Sequence, residues 1–148
     1  MAPVTVQLRD DIKNHLDRII EALESHPLWV NNKHPSIYFL RDFVKRGRYM
    51  LSEYDNVLNG LPLQHADQFC NPPRESGENA ALKVFQEVCG RTMMLKMFAN
   101  DTTGRMSSLT GYESNDGFPI DYGDKVKQAV ESLEAVVPKQ HMMAGLMG

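Results

Sequence analysis

The chain has 148 residues, 42% hydrophobic and 24% charged, with ten Gly and eight Pro, which suits one folded domain or one domain plus a small appendage and excludes disorder over the whole length. Sixteen basic against nineteen acidic residues leave a net charge of −3, so no field of the whole molecule draws it to nucleic acid or anionic lipid, and any such binding must be local. No apolar run approaches the roughly 18 residues of a membrane span, and the start MAPVTVQLRDD lacks a secretory pattern, so a soluble cytoplasmic protein without membrane contact is expected.

Residues 3–8 alternate polar and apolar with β-branched side chains, the period of a half-buried strand in which Val4, Val6 and Leu8 face one way and Thr5, Gln7 and Arg9 the other. Asp10 then stands where a helix cap belongs, and Ile12, Leu16, Ile19, Ile20 and Leu23 follow at helical spacing up to about Ser25. The segment 26–33 reads as a loop whose Leu28, Trp29 and Val30 are apolar enough to fold back on the core. Pro35 and Ser36 open a second helix that runs through Phe39, Leu40, Phe43, Val44, Leu51, Tyr54 and Leu58 to Asn59-Gly60, with a break expected at Gly47. Residues 61–78, with three prolines, form a connector. A third helix is expected over Asn79 to Phe98, a Gly-rich loop over 101–123, and a last helix from Asp124 to Val137. The tail HMMAGLMG is expected to be loose unless a partner covers it.

The usual signs of nucleotide, zinc-protease, serine-hydrolase and calcium chemistry are missing, so the reading is non-enzymatic, with no cofactor and no metal. His65 with Cys70 is the nearest approach to a metal cluster, and Asp116, Asp121 and Asp124 match no known cation loop; turn and cap roles explain them more cheaply. Cys70 and Cys89 form no CxxC pair and are expected as reduced thiols. Most of the nine methionines, Met93, Met94, Met97, Met142, Met143 and Met147 among them, lie in the C-terminal half, as core fillers or as an adaptable surface for a protein partner.

A single N-terminal strand needs a partner, and the simplest partner is the same strand of a second copy. At residues 4–16, Val-Thr-Val-Gln-Leu-Arg-Asp-Asp-Ile-Lys-Asn-His-Leu, and at residues 39–45, Phe-Leu-Arg-Asp-Phe-Val-Lys, the sequence resembles the ribbon-helix-helix family of DNA-binding repressors, Arc-like and methionine-repressor-like. The match covers about residues 3–50. The resemblance implies a mainly α fold: a dimeric N-terminal strand and two helices over 1–60, the connector 61–78, and a helical association or effector region over 79–148.

It also implies a sequence-specific repressor that reads duplex DNA as a homodimer. In that reading Val4, Val6 and Leu8 form the dimer core, while Thr5, Gln7 and Arg9 meet base edges in the major groove. Ser36 and Ile37 would clamp a phosphate at the second helix's start, although Pro35 removes one donor and the preceding loop is longer than the family's turn. Arg41, Lys45 and Arg48 would meet further phosphates, even though residues 1–60 are neutral as a whole, with eight basic and eight acidic side chains. The rival expectation is a protein-interaction subunit, such as a viral or phage assembly or inhibitor protein, that docks its Met-rich C-terminal half on a larger partner.

Overall fold

Thr5 sets the start of the first element. The structure, a computed structural model, describes residues 3–30, 34–100 and 122–147. Thr5 has extended backbone dihedrals and its Oγ1 accepts a hydrogen bond from the Leu8 N–H at 3.0 Å, which makes it the N-cap of a helix, α1 (Val6–Glu24). The strand expected at 3–8 is therefore absent, and no strand occurs among the described residues. The ribbon-helix-helix architecture is overturned with it: Val6, Gln7 and Leu8 are the first turn of a helix, five residues ahead of the cap expected at Asp10.

The physical reason lies in two periods that share residues. The alternation of Val4, Val6 and Leu8 is only five residues long, whereas Leu8 also stands one turn before Ile12 in a buried stripe that continues through Leu16, Ile19 and Leu23. A helix capped by Thr5 satisfies its own backbone groups, while a lone strand would need a second chain to do so. Gln7 adds a side-chain bond to Asp11 at 2.8 Å, one turn on, that only a helix permits.

The remaining elements follow the apolar pattern more closely. The segment after α1 forms a single helical turn, α2 (Pro27–Val30), whose Trp29 ring lies 4.2 Å from that of Tyr38. Leu28 and Trp29 pack on the core, but Val30 is exposed. Next comes α3 (Pro35–Ser52), and the break expected at Gly47 falls instead at Glu53, before the short α4 (Tyr54–Leu58). Gly47 stays inside α3 with the Arg91 side chain packed close by, 3.4 Å from where a Cβ would stand. The chain stops at Gly60, whose φ of 69° is left-handed.

The connector holds one 3-10 turn (Ala66–Gln68) and sends Phe69 into the core. It leads into α5 (Glu78–Ala99), and α6 (Asp124–Val136) follows the residues that are not described. Asp116 and Asp121, and most of the Gly-rich loop expected at 101–123, lie outside the described residues. Helix α1 packs on α3 and α6, and α5 packs on the same two, so α1, α3, α5 and α6 close into a four-helix ring. One continuous core fills it, from Ile12 and Leu16 through Leu40, Val44, Phe85, Val88 and Leu95 to Val130 and Leu133. None of the helices among the described residues is long and apolar enough to cross a membrane.

The tail departs from expectation. HMMAGLM is not loose but belongs to a helix, α7 (Lys139–Met147), started by Pro138, whose carbonyl accepts from the His141 and Met142 N–H groups at 3.1 Å. It lies along α5, held by a backbone approach at Gly90 and Gly145 that no composition argument reveals.

Candidate functional site

Each residue expected at a DNA-reading ribbon has another partner. The Thr5 hydroxyl is spent on the helix cap and the Gln7 amide on Asp11. Arg9 is buried: its guanidinium bonds Asp55 at 3.0 Å and sits 4.3 Å above the Tyr54 ring, which ties α1 to α4. Val4 and Leu8 pack against the molecule's own core, and Val6 is 63% exposed, so these three do not form one face. At the start of α3, Ser36 and Ile37 are both buried, and the Ile37 N–H donates to the His34 carbonyl at 3.1 Å. That donor is not open to a phosphate.

Arg41, Lys45 and Arg48 do share one face of α3, as their spacing requires, but this face looks onto α1. Arg41 and Lys45 both reach Glu24, at 3.2 and 3.5 Å, and Arg48 reaches Asp17 at 3.0 Å. These contacts run in opposite chain directions and fix α1 and α3 as antiparallel. Burial works against the charge on Arg41, yet its hydrogen bonds to Asp42 and Glu24 and their negative charge outweigh it, so its pKa is raised. The fourth cation of the stretch, Arg46, points elsewhere and donates to Cys70 Sγ at 3.4 Å.

On the opposite side of α3, Arg91 of α5 lies 3.8 Å over the Phe43 ring and donates to the Phe43 carbonyl at 3.0 Å. Burial, with Arg46 nearby, lowers its pKa to about 10, so it remains a cation at neutral pH and serves as packing between helices. Cys89 is buried in α5, and burial pushes its thiol up to about 12, which leaves it no nucleophilic role at neutral pH. Among the described residues no three His, Cys, Asp or Glu side chains come together in a way that would hold a metal ion.

The C-terminal helix offers a different kind of site. Its inner side is closed: His141 is fully buried edge-on to Phe85, with ring centroids 5.2 Å apart, and Met142 is buried beside it. Gly145 lies so near α5 that a Cβ would come within 1.8 Å of the Gln86 carbonyl oxygen. The outer side begins with the exposed Lys139 and Gln140 and then turns apolar, with Met143 47%, Leu146 39% and Met147 83% exposed. Alongside runs an open groove of about 750 Å³ between the connector and α5, floored by Phe69, Ala80 and Val84 and walled by the Ala144-Gly145 backbone. Arg74, Glu75, Lys83 and Glu87 put both signs of charge on its sides.

The methionines therefore divide. Met93, Met94 and Met142 pack inward, and Met97, Met143 and Met147 stay at the surface. Sequence reasoning missed the residues that make this division, Gly90, Gly145 and His141; a small residue at each end of a helix–helix contact was the only available sign. It also passed over Tyr49 and Glu53, and it weighed His65 only with Cys70 as a metal ligand, whereas His65 stands with Tyr49 beside Lys45 and Arg48 and is bonded by Glu53. Comparison with protein-family models, with curated proteins and with solved structures finds no match for the chain.

Proposed function

We propose that this chain is a non-enzymatic protein-interaction subunit that binds an amphipathic helical segment of a partner protein on the outer face of α7 and in the groove beside it. The observation that carries the reading is that α7, after its exposed Lys139 and Gln140, leaves Met143, Leu146 and Met147 in solvent while Met142 on the other side is used by the fold. Exposed Met and Leu on a fixed helix form the adaptable lining used to grip apolar helix faces. Mixed charge on the groove walls suits the polar flanks of such a segment. A cytoplasmic setting fits, with Cys70 and Cys89 both free thiols. A paired ribbon does not fit as a reader of duplex DNA, since its residues are a helix cap, a helix turn and a buried arginine paired with an exposed carboxylate.

The test is selection of displayed helical peptides on the immobilised full chain, repeated on Met143→Lys/Leu146→Lys. Those side chains point outward, so circular dichroism and melting should match the parent. Selected peptides should be amphipathic and should lose about 2 kcal/mol or more of affinity on the double variant, as expected when central anchors are removed. If selection returns peptides that bind both proteins equally, or salt-sensitive duplex DNA binding instead, the reading fails.

A further inference from the structure

A second hollow, of about 440 Å³, opens where α1, α3 and the connector meet, well within the size of small-ligand sites. Lys45 and Arg48 line it with Ile20, Tyr49, Ser52 and His65, and Gln64 and Asp17 complete the rim. Two permanent cations thus stand together, each held by one partly exposed carboxylate, Glu24 at Lys45 and Asp17 at Arg48.

The connector is pinned in place over this hollow by an unusual group. Glu53 is 1% exposed, and its carboxylate spends both oxygens on holding the local chain: Oε1 accepts from Asn56 Nδ2 at 3.0 Å and Oε2 from the His65 backbone N–H at 3.1 Å. A buried carboxylate is costly unless so bonded, and here its bonds fix where His65 stands. The His65 ring then stacks on Tyr49 with centroids 4.6 Å apart and planes at 28°. Tyr49 remains 37% exposed, so the aromatic pair is not closed off from solvent.

We propose that this hollow binds a small phosphate monoester carrying a flat ring. Lys45 and Arg48 hold the phosphate, the Gln64 amide offers a further hydrogen-bond donor, and the Tyr49–His65 pair with Ile20 packs against the ring, while the Ser52 hydroxyl is already given to the Tyr49 carbonyl at 2.6 Å. Asp17, which bonds Arg48 at 3.0 Å, is half exposed and is the anion's direct competitor; Glu24 competes likewise for Lys45. A dianion that meets both cations at once replaces two solvent-screened contacts with one bidentate set. This inference rests on α1, α3 and the connector and is independent of the role of α7.

Isothermal titration calorimetry of the full chain with adenosine monophosphate, ribose 5-phosphate, inorganic phosphate and uncharged adenosine tests it. Adenosine monophosphate should bind with one-to-one stoichiometry and most tightly, the two phosphates without a flat aromatic ring more weakly, and adenosine not at all. Arg48→Gln and Lys45→Gln should each weaken binding by about tenfold or more, as for losing a charge-assisted hydrogen bond. Asp17→Asn should tighten it about two- to fivefold, which a merely structural role for Arg48 would not produce. No saturable heat with adenosine monophosphate, equal binding of adenosine, or binding indifferent to Lys45→Gln and Arg48→Gln overturns the proposal.

Discussion

The α1–α3 seam and the α5–α7 seam are both helix-on-helix contacts, and they are closed by opposite means. Between α1 and α3, Leu16, Ile19 and Leu23 meet Leu40 and Val44 in the core, and a ladder of ion pairs from Asp17 and Glu24 to Arg41, Lys45 and Arg48 borders it. Between α5 and α7 the backbones themselves approach, because Gly90 and Gly145 have no side chains to hold them apart. Side-chain seams tolerate exchange at the rim. A glycine seam fixes distance, so it can hold a short helix of nine residues whose outer side remains free.

The largest effect should come at the core residue against which the α5–α7 seam closes. Phe85 is fully buried and lies edge-on to Tyr54 of α4 and to His141 of α7, at centroid distances of 6.4 and 5.2 Å. Phe85→Ala should cost about 3–5 kcal/mol and loosen α4 and α7 together, measured by urea unfolding. A loss below about 1 kcal/mol would mean that the site collapses around the gap.

Gly145→Ala separates the two seams. Alanine favours an isolated helix over glycine by about 1 kcal/mol, but its Cβ would stand 1.8 Å from the Gln86 carbonyl oxygen, which is backbone and cannot swing away. The overlap should outweigh the propensity gain and leave a net loss of about 1–2 kcal/mol. Hydrogen exchange should place that loss in α7, with amides of α1 and α3 still protected. Equal loss of protection in all helices would erase the distinction between a clamped appendage and a core element.

How much of this was legible follows from which interactions sequence periodicity encodes. The stripes of α3, α5 and α6 were readable because buried side chains such as Leu40, Val44, Val88, Val130 and Leu133 recur at helical spacing. The N-terminus was misread because Val4, Val6 and Leu8 fit a period of two over a stretch too short to exclude 3.6, and because Thr5 is as good a cap as it is a strand residue. Helix α7 was missed because its methionines fall on both its buried and its exposed side and leave no clean period to read; its partner surface, set by Gly90, lies 55 residues away from Gly145 in the chain. Arg41, Lys45 and Arg48 read as phosphate contacts because their carboxylate partners belong to α1, a tertiary pairing no local pattern states.

The smallest effect is expected at the ladder, and it decides whether the charges border the α1–α3 seam or hold it. Asp17 and Glu24 are half exposed in their pairs, so water and salt compete for every contact. Asp17→Asn should cost about 0.2–1 kcal/mol. Glu24→Gln should cost somewhat more, because Glu24 serves both Arg41 and Lys45 and its loss leaves two cations facing each other across one face. Both differences from the parent should shrink toward zero in about 1 M salt, where the screening length falls to roughly 3 Å, while the parent's apolar contacts between Leu16, Ile19, Leu40 and Val44 persist. Urea midpoints measured at low and high salt give the comparison directly. A cost above about 2 kcal/mol that survives high salt would show that these pairs are desolvated and carry the seam; the contrast with the glycine-closed α5–α7 contact would then lie in which interaction dominates rather than in core against rim.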